Sequence, residues 1–359
     1  MADVVTVSAQ RMSRRNANGE EMWVVNTGYR LERCTVDHEG NIIVGGDFDN
    51  RAYIAKYDPY GQFIWGYQEN NFPNDRRCWG LDTDSLGNIY VALVSSTGAG
   101  RRVVKYPPGG GVHIWATGMS GITTVTARSL VVDKSNGDVY AGTGSGRVYR
   151  LDTDGGYLWF QTHNNSGTVQ RLDVGGVDNH NMSSSFSSGN NRLVRYDMDG
   201  NELQSIFSSD NFAGIAIDRD SDFRDYYYSQ SVAGGGVTKQ RYNTGGSRST
   251  LWNYTPPASG AFLAAYFEGL VYFGHNPTGS AWDGVIALDL DGNVVWEDDG
   301  PGLANISDIV AGPSIGPVIY DVESEFTGAS VALTWDTNKP VAEFVVERER
   351  WVFPGFPPT

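Results

Sequence analysis

Apolar and polar residues alternate along this chain in short runs broken by turn residues, and the runs recur in groups of four. Alternation of this kind predicts β-strands with two distinct faces. The clearest group comprises Ser129–Asp133, Asp138–Thr143, Arg147–Asp152 and Tyr157–Thr162, with the turn Asp152, Thr153, Asp154, Gly155 between its last two members. A turn glycine of this type recurs as Gly19, Gly61, Gly109, Gly155, Gly200, Gly245 and Gly292, at intervals of 42, 48, 46, 45, 45 and 47 residues. Six of these turns lead into a tryptophan: Trp23, Trp65, Trp115, Trp159, Trp252 and Trp296; after Gly200, Leu203 and Ile206 take that place. A period in the forties with several short strands per unit predicts the blades of a β-propeller.

The two ends of the chain carry incomplete groups. Val4–Trp23 reads as a third and fourth strand, and Asp308–Val322 as a first and second. Their union predicts an all-β, seven-bladed propeller over residues 1–322, closed by N- and C-terminal strands so that no open ring edge is left. Residues 323–359 are then a C-terminal extension: a hairpin of Ser330–Trp335 with Glu343–Glu347, and a proline-rich tail, Trp351–Thr359, that cannot continue a ladder. The same hairpin could instead extend or compete for the last blade. One repeat is anomalous, because Val177–Asn191 is rich in Asn, Ser and Gly where a β-branched second strand belongs. It reads as a looped-out segment or as an adaptable polar contact surface.

Composition narrows the function classes. The net charge of −15 argues against nucleic acid, since phosphate neutralisation needs clustered cations and the basic doublets here are isolated. Cys34 and Cys78 occupy similar places in successive repeats, too far apart in a propeller for a disulfide, and are expected as buried thiols. Neither a signal-type leader nor a membrane-length apolar run is evident, so a soluble chain is expected.

Candidate chemistry is sparse. The Asp-x-Asp-Gly turns at Asp152, Asp197 and Asp289 lack the remaining ligands of a calcium loop and match ordinary turn chemistry. His38, His113, His163, His180 and His275 show no metal-ligand spacing, and no Gly-x-Ser-x-Gly turn occurs. Gly142, Gly144 and Gly146 join two strands and open no helix, so they do not form a phosphate-binding loop. Arg33, Arg77, Arg128 and Arg171 all fall near the start of a first strand. If first strands line the channel, these four gather at one mouth, either as a cationic site for an anion or acidic partner segment or paired with Asp37, Asp82, Asp133 and Asp173. Tyr226, Tyr227 and Tyr228 alternate faces, placing at least one in the core.

The segment Val285–Trp296, reading Val, Ile, Ala, Leu, Asp, Leu, Asp, Gly, Asn, Val, Val, Trp, resembles the PQQ-like (quinoprotein-type) propeller repeat with its docking tryptophan; Arg147–Trp159 and Ala55–Trp65 match it less fully. Quinone-dependent dehydrogenases of that family bring an adjacent cysteine pair and a calcium-binding carboxylate set, and neither is matched here. The expectation is therefore a chain that is not an enzyme and takes no cofactor or metal: a structural scaffold presenting loops to protein partners. The resemblance extends to PQQ-like repeat proteins among structural components of tailed bacteriophages, which implies a virion location, with the cytoplasm as the alternative. A carbohydrate-binding propeller is a second reading, in which Trp65, Trp115, Trp159, Trp252 and Trp296 face solvent. A quinone-dependent dehydrogenase is the third.

Overall fold

The computed structural model describes residues 2–72, 75–95, 101–119, 127–162, 168–175, 181–186, 191–208, 212–218, 225–230, 236–242, 247–255, 261–276, 284–298, 306–313, 319–326 and 331–337. They fall into two compact units, Met1–Ser314 and Ile315–Thr359.

In the first unit, six blades are each folded from four consecutive antiparallel strands. The first blade is Arg30–Val36, Ile42–Phe48, Arg51–Tyr57 and Phe63–Gln68; the second is Asp75–Thr83, Ile89–Ser95, Arg101–Tyr106 and Trp115–Gly118. The third is Ala127–Val132, Val139–Thr143, Arg147–Leu151 and Tyr157–Thr162; the fourth is Thr168–Val174, Asn181–Phe186, Asn191–Tyr196 and Glu202–Ser208. The fifth is Phe212–Ile217, Asp225–Gln230, Val237–Tyr242 and Arg248–Tyr254; the sixth is Ala261–Phe267, Leu270–Asn276, Gly284–Leu288 and Val294–Asp298. A further four-stranded sheet is shared between the ends, in the order Ile306–Pro313, Ala2–Ser8, Arg11–Arg15, Glu21–Asn26. It packs between the sixth blade and the first.

This corrects the expected seven-bladed ring with a two-plus-two closure: the chain forms six blades from consecutive strands, and the closing sheet is three-plus-one. The reason is a tight turn at Ala9 and Gln10, with Ala9 at φ 40°, which divides the N-terminal segment into Ala2–Ser8 and Arg11–Arg15. Ala2–Ser8 pairs on its other side with Ile306–Pro313, so one C-terminal strand suffices. The segment assigned above to a further strand of the ring instead lies in the second unit. There Ile319–Phe326, which spans the expected boundary at 322, pairs with Val331–Thr337. Val331–Thr337 contains most of the first strand of the expected hairpin, whose second strand, Glu343–Glu347, lies outside the described residues. The polar stretch of the fourth repeat is a strand after all: Asn181–Phe186 is paired on both sides.

Burial explains the hydrophobic pattern. Blades cover each other on both faces, so second strands such as Val139–Thr143 are buried at every position, whereas the outer strand Tyr157–Thr162 alternates. Both Tyr226 and Tyr227 are buried for this reason, on opposite faces of one strand. Cys34 and Cys78 are free and buried in separate clusters, and desolvation pushes both thiols up.

The ring is held by a repeated contact between blades. Each docking indole lies against the glycine turn of the next blade. A Cβ at Gly61 would sit 3.0 Å from Trp23, at Gly155 2.9 Å from Trp115, at Gly200 2.9 Å from Trp159, at Gly292 2.7 Å from Trp252 and at Gly19 2.7 Å from Trp296. Trp65 meets Gly110, at φ +71°, and not Gly109, whose Cβ would find open space; that turn is one residue later than the sequence suggests. In Trp23, Trp115, Trp159 and Trp252 the indole N–H donates to a carbonyl in the turn it covers: Pro59, Thr153, Met198 and Leu290, at 3.1, 2.9, 2.7 and 2.8 Å.

A cation joins the tryptophan on that same carbonyl. Arg14, Lys105, Arg150 and Lys239 are the cross-strand partners of Trp23, Trp115, Trp159 and Trp252, and they donate to the carbonyls of Pro59, Thr153, Met198 and Leu290 respectively. Each also meets a carboxylate of its own sheet: Arg14 with Asp3 at 3.1 Å, Lys105 with Asp84 at 3.7 Å, Arg150 with Asp138 at 2.8 Å, and Lys239 with Asp218 at 3.1 Å. Lys56, the partner of Trp65, bonds Asp37 at 2.9 Å. A buried carboxylate or ammonium is tolerated only when paired in this way.

Candidate functional site

The inner strands converge on a cavity of about 600 Å³ whose lining includes Thr35, Val131, Leu172, Ala216, Tyr266 and Val310, residues from the inner strands of five blades and the closing sheet. Asp82, Asp173, Glu268, Lys134 and Arg171 bring charge to it. Several of these groups tie neighbouring inner strands together. Asp82 accepts the Val132 N–H at 2.8 Å, the Thr35 hydroxyl at 3.1 Å and the Lys134 ammonium at 2.7 Å, and Asp173 accepts the Ile217 N–H at 2.7 Å.

Of the four arginines read from sequence, Arg171 bonds Asp308 and Arg33 lies within that carboxylate's field. Arg171 donates to Asp308 Oδ1 at 2.5 Å, reaching from the fourth blade to the closing strand. Asp308 Oδ2 accepts the Cys34 N–H of the first blade at 3.1 Å. Arg33 donates to the carbonyls of Glu32, Trp79 and Ser307 at 2.6, 2.9 and 3.3 Å. Burial pulls its pKa down, the field of Asp308 opposes that, and Arg171 reinforces it. Arg77 lies 3.8 Å from Glu32 with its side chain 41% exposed. The side chain of Arg128 lies outside the described residues. Among the described contacts, Arg171 thus engages Asp308 and Arg77 lies against Glu32, while Asp37 and Asp82 hold Lys56 and Lys134. Glu32, desolvated by burial, is raised from the usual carboxylate range despite its arginine neighbours. The result is a braced hub: Asp308 and Asp82 each connect three inner strands.

The Asp-Gly turns are also internally occupied. Asp152 Oδ1 accepts the N–H groups of Asp154 and Gly156 at 3.0 and 2.7 Å, and Asp289 those of Asp291 and Asn293 at 2.9 and 2.8 Å. Asp197 accepts from the Asn201 backbone and side chain at 2.7 and 2.9 Å. These carboxylates do the work of an Asx turn.

The rim is a different surface. Exposed apolar side chains crowd the outer strands of three adjacent blades and the turns that enter them: Phe63 and Ile64, Val112 and Ile114, and Tyr157, Leu158 and Phe160. Those strands, Phe63–Gln68, Trp115–Gly118 and Tyr157–Thr162, contain no charged residue, whereas the outer strands of the other three blades and of the closing sheet carry Glu202, Arg248, Glu297 with Asp298, and Glu21. Beside Phe63 lies an open pocket of about 360 Å³ lined by Thr27, Tyr29, Phe48, Tyr53, Tyr57 and Phe63. The Tyr29 and Tyr53 rings lie 4.5 Å apart, centroid to centroid, and the Tyr29 and Tyr57 hydroxyls share a 2.7 Å hydrogen bond.

No family model and no curated protein matches the chain. Solved structures do. A protein from Lactobacillus plantarum aligns with TM-score 0.66 at 12% identity, covering 87% of this chain and 99% of that one. A candidate 6-phosphogluconolactonase from Bacteroides fragilis aligns with TM-score 0.65 at 11% identity, covering 87% and 98%. BamB from Moraxella catarrhalis aligns with TM-score 0.51 at 16% identity, covering 83% and 85%. At these identities the likeness is one of fold: the chain is an all-β propeller, and the PQQ-like repeat fits both its architecture and the similarity to BamB. None of the three is described as a phage component.

Proposed function

We propose that the propeller is a non-catalytic interaction scaffold, a braced ring that offers its rim to protein partners within a larger assembly. The observation that carries this reading is the run of uncharged, apolar outer strands on three adjacent blades, in a chain whose net charge is −15. Exposed apolar side chains with no charge beside them, on a chain of high net charge, mark a candidate contact surface. The hub supports the same reading, because Arg171 and Arg33 are engaged by the chain's own carboxylate and carbonyl groups. The carbohydrate reading required the repeating tryptophans to face solvent, and they lie against the next blade's turn.

The assembly we have in view is a virion, on the strength of the repeat resemblance alone. Two experiments test the two levels of the proposal. Ile64→Ser combined with Leu158→Ser should leave folding intact and abolish co-purification with the native partner; unchanged co-purification rejects the rim. Quantitative mass spectrometry of purified particles should find this chain at a copy number matching particle symmetry, and its confinement to free cytosol rejects the virion.

A further inference from the structure

Resting on the scaffold reading, we infer that the outer edge of Phe63–Gln68 is a strand-addition site, which takes an extended peptide from a protein partner and seats one of its apolar side chains in the aromatic pocket beside Phe63. Phe63–Gln68 ends its sheet: it pairs with Arg51–Tyr57, and no other strand of the described residues lies against its far side. Alternate N–H and C=O groups of an edge strand point away from its partner and form a template for another chain. Folded proteins guard such edges with charge, proline or a bulge; this strand, Phe-Ile-Trp-Gly-Tyr-Gln, has no charge and no proline, and its one register shift, between Phe63 and Trp65, lies at its start and leaves Trp65–Gln68 in regular register.

The pocket gives the second, independent observation. Phe63 lines it at 58% exposure and Phe48 at 47%, while Tyr29 and Tyr57 form its buried wall. Cross-strand register places Phe63 opposite Tyr57, and Gly66 leaves the strand bare where the Tyr53 hydroxyl approaches it. A strand laid along this edge presents alternate side chains to that face. Backbone pairing supplies the affinity and the pocket supplies the selection, for an aromatic, aliphatic or proline side chain. The other two uncharged outer strands fit less well: Trp115–Gly118 is only four residues long, and the Tyr157 hydroxyl is already bonded to the Gly118 carbonyl of the neighbouring blade.

A displayed library of seven-residue peptides, selected on the full chain, tests this. Enriched peptides should alternate apolar and polar residues, and a synthetic copy should slow hydrogen exchange within Phe63–Gln68. Binding should weaken about tenfold or more in Ile64→Lys and in Phe48→Ser, the scale of losing one interface hot spot, with urea midpoints unchanged. N-methylation of alternate peptide amides, leaving every side chain in place, should abolish binding. Enriched peptides that ignore both substitutions and protect another surface overturn the strand site and leave the scaffold reading standing. Failure to enrich any peptide overturns the strand site; the scaffold reading falls with it if the native-partner experiment also fails.

Discussion

At the residue scale, the turn at Pro107–Gly111 separates two costs that usually come together. Gly110 and Gly111 both hold positive φ, +71° and +86°, but only at Gly110 would a Cβ strike an indole, Trp65 at 2.9 Å; Gly111 faces open space. Gly111→Ala should therefore lose only about 1 kcal/mol, the conformational penalty, while Gly110→Ala adds about 1–3 kcal/mol of overpacking. Urea denaturation of the two variants measures the difference, and equal losses would remove the indole from the account. Acid lability also belongs to single residues. Burial alone would raise Asp37, but hydrogen bonds from Lys56 and Asn41 outweigh it and hold the carboxyl below its ordinary value; Asp84, bonded by Asn88 and Tyr90, behaves alike. A folded pKa below the unfolded one, about 3.9, means the contribution is fully present above that pH and is lost as pH falls through the folded value. Stability should thus decline below about pH 4, and Asp37→Asn, weaker at neutral pH, should show a shallower decline; an unchanged slope contradicts the assignment.

At the element scale, the unit of cohesion is a cross-strand pair of a cation and a tryptophan that share one carbonyl of the next blade. Lys56→Met leaves the Asp37 carboxylate, side chain 1% exposed, without its ammonium and should cost about 3 kcal/mol. The double variant with Asp37→Asn should recover part of that loss in a denaturation cycle. The sixth blade lacks this device. Ala287 stands opposite Trp296, and the buried Trp296 Nε1 has no hydrogen-bond partner among the described residues. An Arg15–Asp298 pair at 2.5 Å bridges the seam instead. Amides of Val294–Asp298 should therefore exchange faster than those of Tyr157–Thr162, where Arg150 and Trp159 both bond Met198; the reverse order contradicts the clamp. The tryptophans were legible in sequence because docking fixes their distance from the turn glycine. Cations stand at a matching offset, two residues before the turn Asp or Asn, at Arg14, Lys56 and Arg150, but only strand register pairs them with the indoles. The Gly110 register was not legible, since three consecutive glycines follow Pro107 and Pro108 and only contact with Trp65 selects one.

At the scale of the whole propeller unit, closure decides the rest. The sequence hides it: a turn at Ala9 without glycine splits one apparent strand into two, and the partner of Arg171 is an aspartate 137 residues away on a strand whose place depends on closure. Asp308 joins inner strands of the closing sheet, first blade and fourth blade. Asp308→Asn should lower the urea midpoint more than Asp197→Asn, whose carboxylate serves only its own exposed turn.

Truncation tests the central claim, a ring sealed by its own two ends, most directly. A chain ending at Ser314, which keeps Ile306–Pro313 paired with Ala2–Ser8, should unfold in one cooperative transition at nearly the full-length urea midpoint. A chain ending at residue 304 should lose that cooperativity. Indistinguishable unfolding of the two would contradict the account.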